Sequence, residues 1–420
     1  MWSLSDDGDE NWRNHVGFEE RYKNIRIIGL TDRPELDRKT AAALEQELWN
    51  ESLNLREYRE AVANNSYPVG HSDGPPSDTE IIFDADMDDP EGVTIGPYED
   101  CIHIGQGASA DVYRSDLYAL KVWRHDGDLQ PHSIEREAEI MRILNWGHNR
   151  CISLVKKLTY DSRPVLVMPY LRYSLETILE GDKGPNNTNH YLTRDRVLNY
   201  FTDIFSALKH VHSLGIIHRD IKPSSILLER LDGPVFLSDF GTAWHPELSL
   251  PDEPADKKCL DIGTGSYRAP ETLFTNEAYG TAVDIWAAGA LLGQCARRPP
   301  REPLFRSRAA HEDGNQLGLI LDIFKKLGTP TRETWPEAEH FPTPPFDMYN
   351  VFPRKPWNIL LPDVDRDIRR FVAGMLKFQS TERLTAAQAL EGLVELGTPP
   401  PDMPPPPGLL RTPPPTSPDA

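Results

Sequence analysis

Cysteine is scarce, with four residues in 420: Cys101, Cys151, Cys259 and Cys295. They lie far apart and form no CxxC pair, so neither a zinc site nor a disulfide framework is expected, and a reducing compartment, cytoplasm or nucleus, suits the chain. No run of 18 apolar residues occurs, which excludes an ordinary transmembrane helix and a membrane partner of that kind. The opening MWSLSDDGDE lacks the basic-then-apolar order of a secretory signal. Positive charge is also short, with 45 Lys and Arg against 65 Asp and Glu and a formal net charge of −20. Residues 1–100 carry 24 acidic and 9 basic side chains, which argues against nucleic acid or anionic lipid as a partner. Hydrophobic residues at 39% and charged residues at 26% are ordinary for a globular protein, and 420 residues suffice for one large domain or two lobes.

The chain divides by composition into three parts. Residues 1–97 form an acidic extension. Within it, Leu36, Ala41, Leu44, Leu48, Leu53 and Tyr58 recur at near-helical spacing, which predicts a helix over 34–63. A polar linker at 64–80 and an acidic patch at 84–91 follow. Residues 98–397 have the mixed pattern of a folded domain. The tail, 398–420, holds 11 prolines and is expected to be extended or disordered.

Within the folded part, the densest chemistry lies in 217–241, IHRDIKPSSILLERLDGPVFLSDFG. Two apolar triplets, 226–228 and 235–237, flank the turn signal Asp232-Gly233 and predict a hairpin. Asp220 and Lys222 precede the hairpin, and Asp239 follows it. Two carboxylates on rigid backbone suit one general base and one metal ligand. Upstream, Ile104-Gly105-Gln106-Gly107 and Val112 read as strand, glycine turn, strand, a backbone that can approach phosphates closely. Ala119 and Lys121 lie on the next predicted strand. A helix over 133–145 places Ile134, Ala138, Met141 and Leu144 on one face, and a long amphipathic helix is predicted over 193–214. Further strands are predicted over 152–159 and 165–168, and 181–190 reads as a polar insertion.

These motifs resemble, in order and spacing, those of eukaryotic protein kinases. His218-Arg219-Asp220 matches the catalytic loop and Asp239-Phe240-Gly241 the metal-binding motif, while Gly263–Glu271 matches the segment that closes the activation loop. The resemblance covers about residues 98–394. It implies an α+β, bilobal fold: a small antiparallel sheet with one main helix (98–168), a hinge (169–173) and a mainly helical large lobe (174–397). It implies ATP and Mg²⁺ as cofactors. Asp220 would take the proton of a substrate hydroxyl. Lys222 would steady the γ-phosphate, and lysine there marks serine/threonine kinases. Lys121 would contact the α- and β-phosphates and pair with Glu137. Ile104, Gly105, Gly107, Val112, Ala119, Met168, Pro169, Leu171 and Leu227 would line the nucleotide site. Asp239 and Ser225 would hold metal. Asp284, and the pair Glu271–Arg383, would be structural.

Three departures from the family pattern matter. Ala110 replaces the third glycine of the glycine loop. Ser225 stands where the family has asparagine, a shorter and weaker metal ligand. Cys259 stands where cyclin-dependent kinases carry the activating phosphothreonine. Tyr267-Arg268 before Ala-Pro-Glu, and Leu327-Gly328-Thr329-Pro330 with Trp335-Pro336, are similar to cyclin-dependent kinases, but the helix at 133–145 lacks their cyclin-contacting sequence. The combination resembles single-subunit fungal kinases that activate cyclin-dependent kinases: a monomer that needs no cyclin, acting on a protein substrate. An alternative stays open, a catalytically silent kinase fold that binds partners, with Ser225 as the feature dividing the two. A small-molecule phosphotransferase is disfavoured by the activation segment.

Overall fold

In a computed structural model, residues 92–124, 129–144, 150–181, 192–249, 253–297, 302–307, 316–346 and 350–397 are described. The helix expected over 34–63, the insertion after Gly181 and the proline-rich tail lie outside these residues. No helix among the described residues is long and apolar enough to cross a membrane.

The small lobe is a six-stranded antiparallel sheet of β1 (Val93–Ile95), β2 (Tyr98–Gln106), β3 (Ala110–Ser115), β4 (Tyr118–Trp123), β5 (Lys156–Tyr160) and β6 (Arg163–Pro169), in the order β1-β2-β3-β4-β6-β5. The sheet therefore starts at Val93, with β1 pairing onto β2 just ahead of the matched kinase pattern. Alternation along β4 sorts its side chains. Leu120 and Val122 point into a small core with Ile95, Cys101, Val165 and Val167. Ala119 and Lys121 take the other face, where α1 (Ile134–Leu144) packs through Ile134, Ala138, Met141 and Leu144. The strand expected from residue 152 begins only at Lys156. Ile152 is drawn to the large lobe instead, its N–H donating to Leu237 O at 2.7 Å, while the Val155 N–H already donates to Val167 O of β6 at 2.9 Å.

Past the hinge come β7 (Tyr173–Ser174), α2 (Leu175–Glu180) and α3 (Arg194–Ser213). Ser174 caps α2 and Thr193 caps α3, each hydroxyl accepting a backbone N–H that the helix leaves unpaired. The predicted hairpin forms as β8 (Ile226–Leu228) and β9 (Val235–Leu237), and Gly233 supplies the positive φ its turn requires. The remaining helices among the described residues are α4 (Pro270–Leu273), α5 (Ala282–Cys295), α6 (Leu317–Leu327), α7 (Trp357–Leu360), α8 (Arg366–Met375) and α9 (Ala386–Gly397). Helix α5 is buried along almost its whole length, and its apolar sequence has no polar face to show solvent. Trp286 on α5 stacks on Phe305 at 5.5 Å, within an aromatic core that includes Trp335, Phe324 and Phe378. The architecture is the α+β, two-lobed arrangement expected from the motifs.

Candidate active site

Paired strands put the residues of one cross-strand row on one face of the sheet. One row here is Gly105–Val112–Lys121–Leu166, and its neighbour carries Ala119 opposite Met168. Six of the residues assigned to the nucleotide from the sequence, or next to it in register, thus share the face that meets α1. Ile104 is 46% exposed, and a methyl built on Gly105 would meet nothing within 4 Å, so the glycine turn borders open space. The turn is closed by the Gly107 N–H donating to Ala110 O at 2.8 Å. Ala110, the replacement for the third glycine, is buried and already part of β3, so its methyl packs inward without obstructing the turn. At the hinge, Pro169 ends β6, the Tyr170 N–H donates to Leu117 O, and Leu171 is buried in the main core. Leu227 lies on the face of β8 opposite the buried Ile226 and Leu228.

Lys121 is the centre of the charge arrangement. Its ammonium donates to both Glu137 oxygens at 2.8 Å and to Asp239 Oδ1 at 2.8 Å. Burial alone would lower the Lys121 pKa, but the two carboxylates overcome it and hold the lysine well above its ordinary value. Lys121 and, less strongly, Lys222 hold Asp239 far below the usual carboxylate range. Burial pushes Glu137 up, against the pull of Lys121. Glu137 is 1% exposed, whereas the Asp239 side chain is 43% exposed, so Asp239 alone of the two carboxylates remains open to a ligand. Asp239 also takes the left-handed conformation, φ 65, at the entry to a short 3-10 turn, Phe240–Thr242. A methyl on Gly241 would stand 3.3 Å from both Lys121 Nζ and Glu137 Oε2, which explains why a glycine lets the chain pass this cluster.

The catalytic loop is held from below. Asp284 on α5 accepts the main-chain N–H groups of His218 (2.9 Å) and Arg219 (2.8 Å) and bonds the His212 ring at 2.9 Å. The His218 ring bonds Ser238 O at 2.9 Å and meets the Phe240 ring edge-on, tying this loop to the Asp239 segment. Lys222 Nζ donates to Asp220 Oδ2 at 2.5 Å, and the Thr264 hydroxyl donates to Asp220 Oδ1 at 2.6 Å. Each carboxylate oxygen keeps lone pairs for an incoming hydroxyl, so these contacts orient Asp220 without consuming it.

Ser225 is turned to its own loop. It is fully buried; its hydroxyl donates to Lys222 O at 2.9 Å and accepts the Lys222 N–H at 3.0 Å, while its carbonyl accepts both the amide and hydroxyl of Ser238. The structure therefore brings together Lys121, Glu137 and Asp239, and separately Asp220, Lys222 and Thr264. It gives Ser225 the bonding of a loop cap.

The predicted structural pair is also in place. Arg383 donates to both oxygens of Glu271, at 2.6 and 2.7 Å, and to the carbonyls of Lys377, Phe378 and Ala282, with its guanidinium over the Trp286 ring. A second buried pair was not anticipated from the sequence: Arg219 with Glu253, in the activation segment. PDEPADK around Glu253 reads as a solvated acidic loop, and only the adjacency of Arg219 to Asp220 hints that a carboxylate must reach it.

Residues 98–393 match the protein kinase domain. The chain belongs to the protein kinase family. The kinase is 31% identical over 293 residues to serine/threonine-protein kinase csk1 of Schizosaccharomyces pombe, covering 67% of this chain and 89% of that protein. It is 29% identical over 302 residues to cyclin-dependent kinase 7 of Xenopus laevis, covering 70% and 79%. It is also 29% identical over 301 residues to cell division control protein 2 homolog 2 of Trypanosoma brucei brucei, covering 69% and 79%. It is a protein serine/threonine kinase of the cyclin-dependent-kinase-like group.

Proposed function

We propose that this kinase works as a single chain, using ATP and Mg²⁺, and phosphorylates a serine or threonine in the activation loop of a cyclin-dependent kinase. The closed Lys121–Glu137–Asp239 cluster supports an active kinase, and the single-chain reading rests on the sequence: the helix at 133–145 lacks the cyclin-contacting sequence, and Cys259 stands at the place of the activating phosphothreonine. The substrate assignment rests on the likeness to single-subunit activating kinases and on relatives named as a serine/threonine kinase and a cyclin-dependent kinase.

The donor set fits the expected ligands. A part-exposed carboxylate kept ionised by Lys121 suits a hard divalent cation, and the glycine turn leaves room for phosphates. Bound together, the nucleotide and metal supply an electrophilic phosphoryl group with its charge neutralised. Lys121, fixed by Glu137, holds the phosphate chain. Asp220 orients the acceptor hydroxyl and receives its proton on a carboxylate oxygen, and Lys222 faces the group in transfer. Asp239 would hold the metal, and Ser225 keeps the catalytic loop in shape.

That division of labour bears on the silent-fold alternative, which Ser225 raises. Phosphate incorporation from labelled ATP into an unphosphorylated cyclin-dependent kinase tests both, with Asp239→Asn as control and the modified residue located by mass spectrometry. Incorporation at the activation-loop threonine, lost in the control, is the expected result. Incorporation only into unrelated acceptors overturns the substrate assignment. ATP binding without transfer to any acceptor, reversed by Ser225→Asn, overturns the active-kinase reading in favour of the silent fold.

A further inference from the structure

The activation segment carries a buried carboxylate at a junction of three elements. Glu253 has a side chain only 5% exposed. Its Oε2 accepts from Arg219 Nη1 at 2.5 Å, and its Oε1 accepts from Arg219 Nη2 at 3.2 Å, a two-pronged pair. Arg136 Nη1 lies 3.9 Å from Oε1. The Cys259 N–H donates to Oε2 at 3.0 Å. The main chain of Glu253 is fixed as well: its N–H donates to Ser249 O at 2.8 Å, and its carbonyl accepts the Trp244 indole at 2.9 Å. Tyr279 closes the cluster, its hydroxyl accepting from Arg219 at 3.2 Å and donating to Cys259 O at 2.7 Å.

The partners reveal the purpose. Arg219 immediately precedes Asp220, which receives the substrate proton, and Arg136 immediately precedes Glu137, which fixes Lys121. One anion in the activation segment thus draws together the catalytic loop and helix α1. Arg219 is buried and sits at φ 72; Asp284 holds its main-chain N–H, and its guanidinium is held by Glu253, Tyr279 and the Thr242 carbonyl. Without Glu253, the buried Arg219 guanidinium would lose the carboxylate that it meets through two nitrogens. Where the resemblance places an activating phosphothreonine, Cys259 has no hydroxyl to phosphorylate, and its amide is bound to this same carboxylate.

We infer that Glu253 is a resident anion performing the task of an activating phosphate: its carboxylate clamps Arg219 and Arg136, so the activation segment is ordered without phosphorylation. This rests on the active-kinase reading. Burial alone would raise the Glu253 pKa, but the bonds and charge of Arg219, then the Cys259 amide and Arg136, hold it below the usual carboxylate range, so the clamp is charged at neutral pH. Glu253 is a positioning residue, acting through Arg219 and Arg136.

Three measurements on the full chain test this. Phosphatase-treated wild type, shown by intact mass to carry no phosphate, is expected to keep its transfer rate; loss of activity on that treatment overturns the proposal. Glu253→Gln keeps the shape and removes the charge. It is expected to lower kcat at least tenfold while changing the KM for ATP less than threefold, and to speed amide exchange in residues 258–268. A rate within twofold of wild type and unchanged exchange overturn the proposal. Cys259→Ala, which leaves the main-chain amide in place, is expected to be neutral. Should Glu253→Gln fail to fold, the activity of the phosphate-free wild type decides. Should the wild type transfer phosphate to no acceptor, the active-kinase reading fails, and the exchange measurement alone decides whether Glu253 holds the segment.

Discussion

Lys121 has two carboxylates to satisfy, and this imbalance makes it the residue most sensitive to change. Lys121→Met would leave Glu137, 1% exposed, without its counter-charge. Removing one partner of a buried pair costs about 3–5 kcal/mol. We expect a fall in thermal midpoint together with loss of transfer, read by calorimetry and a phosphorylation assay. Asp220→Asn separates chemistry from stability, because the amide oxygen can still accept from Lys222 while the amide NH₂ donates to the Thr264 hydroxyl. A rate loss of about 10²–10⁴-fold is expected with nucleotide binding intact, measured by kinetics and by titration of a fluorescent nucleotide. Ser225→Ala tests the cap: the Lys222 amide would lose its acceptor in a buried place, at a cost of about 1–3 kcal/mol. A lower unfolding midpoint with an unchanged Mg²⁺ dependence of the rate would mark Ser225 as a cap, whereas a weakened Mg²⁺ dependence at unchanged stability would mark it as a ligand.

The elements divide into those the sequence makes legible and those it does not. The β8–β9 hairpin lies at the predicted residues because short apolar triplets around a Gly-containing turn have few alternatives. Helix α3 starts and ends within a residue of expectation because Thr193 caps it and Leu214 closes it. Residues 152–155 look like a strand by composition, yet tertiary pairing with Leu237 takes Ile152, which no local pattern encodes. The same holds for Glu253: its charged partners lie 34 residues away or more, so its charge reads as solvated until the fold is known. Lys121, Glu137, Asp220 and Asp239 were legible because motif spacing carries them. The activation segment should also show its anion in its response to acid. Glu253 titrates below its unfolded value of about 4.3. Its contribution is therefore complete above that pH and is lost as pH falls through the depressed value. Thermal midpoints measured between about pH 3 and pH 6 should fall less steeply for Glu253→Gln than for wild type.

At the scale of the whole molecule, two buried ion pairs tie the activation segment to the large lobe. Glu271–Arg383 holds its end, and Glu253–Arg219 holds its beginning against the catalytic loop. Helix α1 closes onto the same site through Glu137, and Asp284 supports the loop from α5. Arg383→Met should destabilise the large lobe by about 3–5 kcal/mol, because Glu271 is buried with no other cation described beside it. Denaturant unfolding of Arg383→Met beside wild type would show that loss as a lowered midpoint.

We propose that one chain suffices for catalysis. The most direct test is the rate of phosphate transfer by the monomeric fraction of the purified protein, stripped of phosphate, assayed with Mg²⁺ and ATP and with or without an added cyclin. The account predicts transfer that co-elutes with the monomer, is unchanged by cyclin and is abolished by Asp239→Asn. A monomer that is inert until a cyclin or another subunit is added would contradict it.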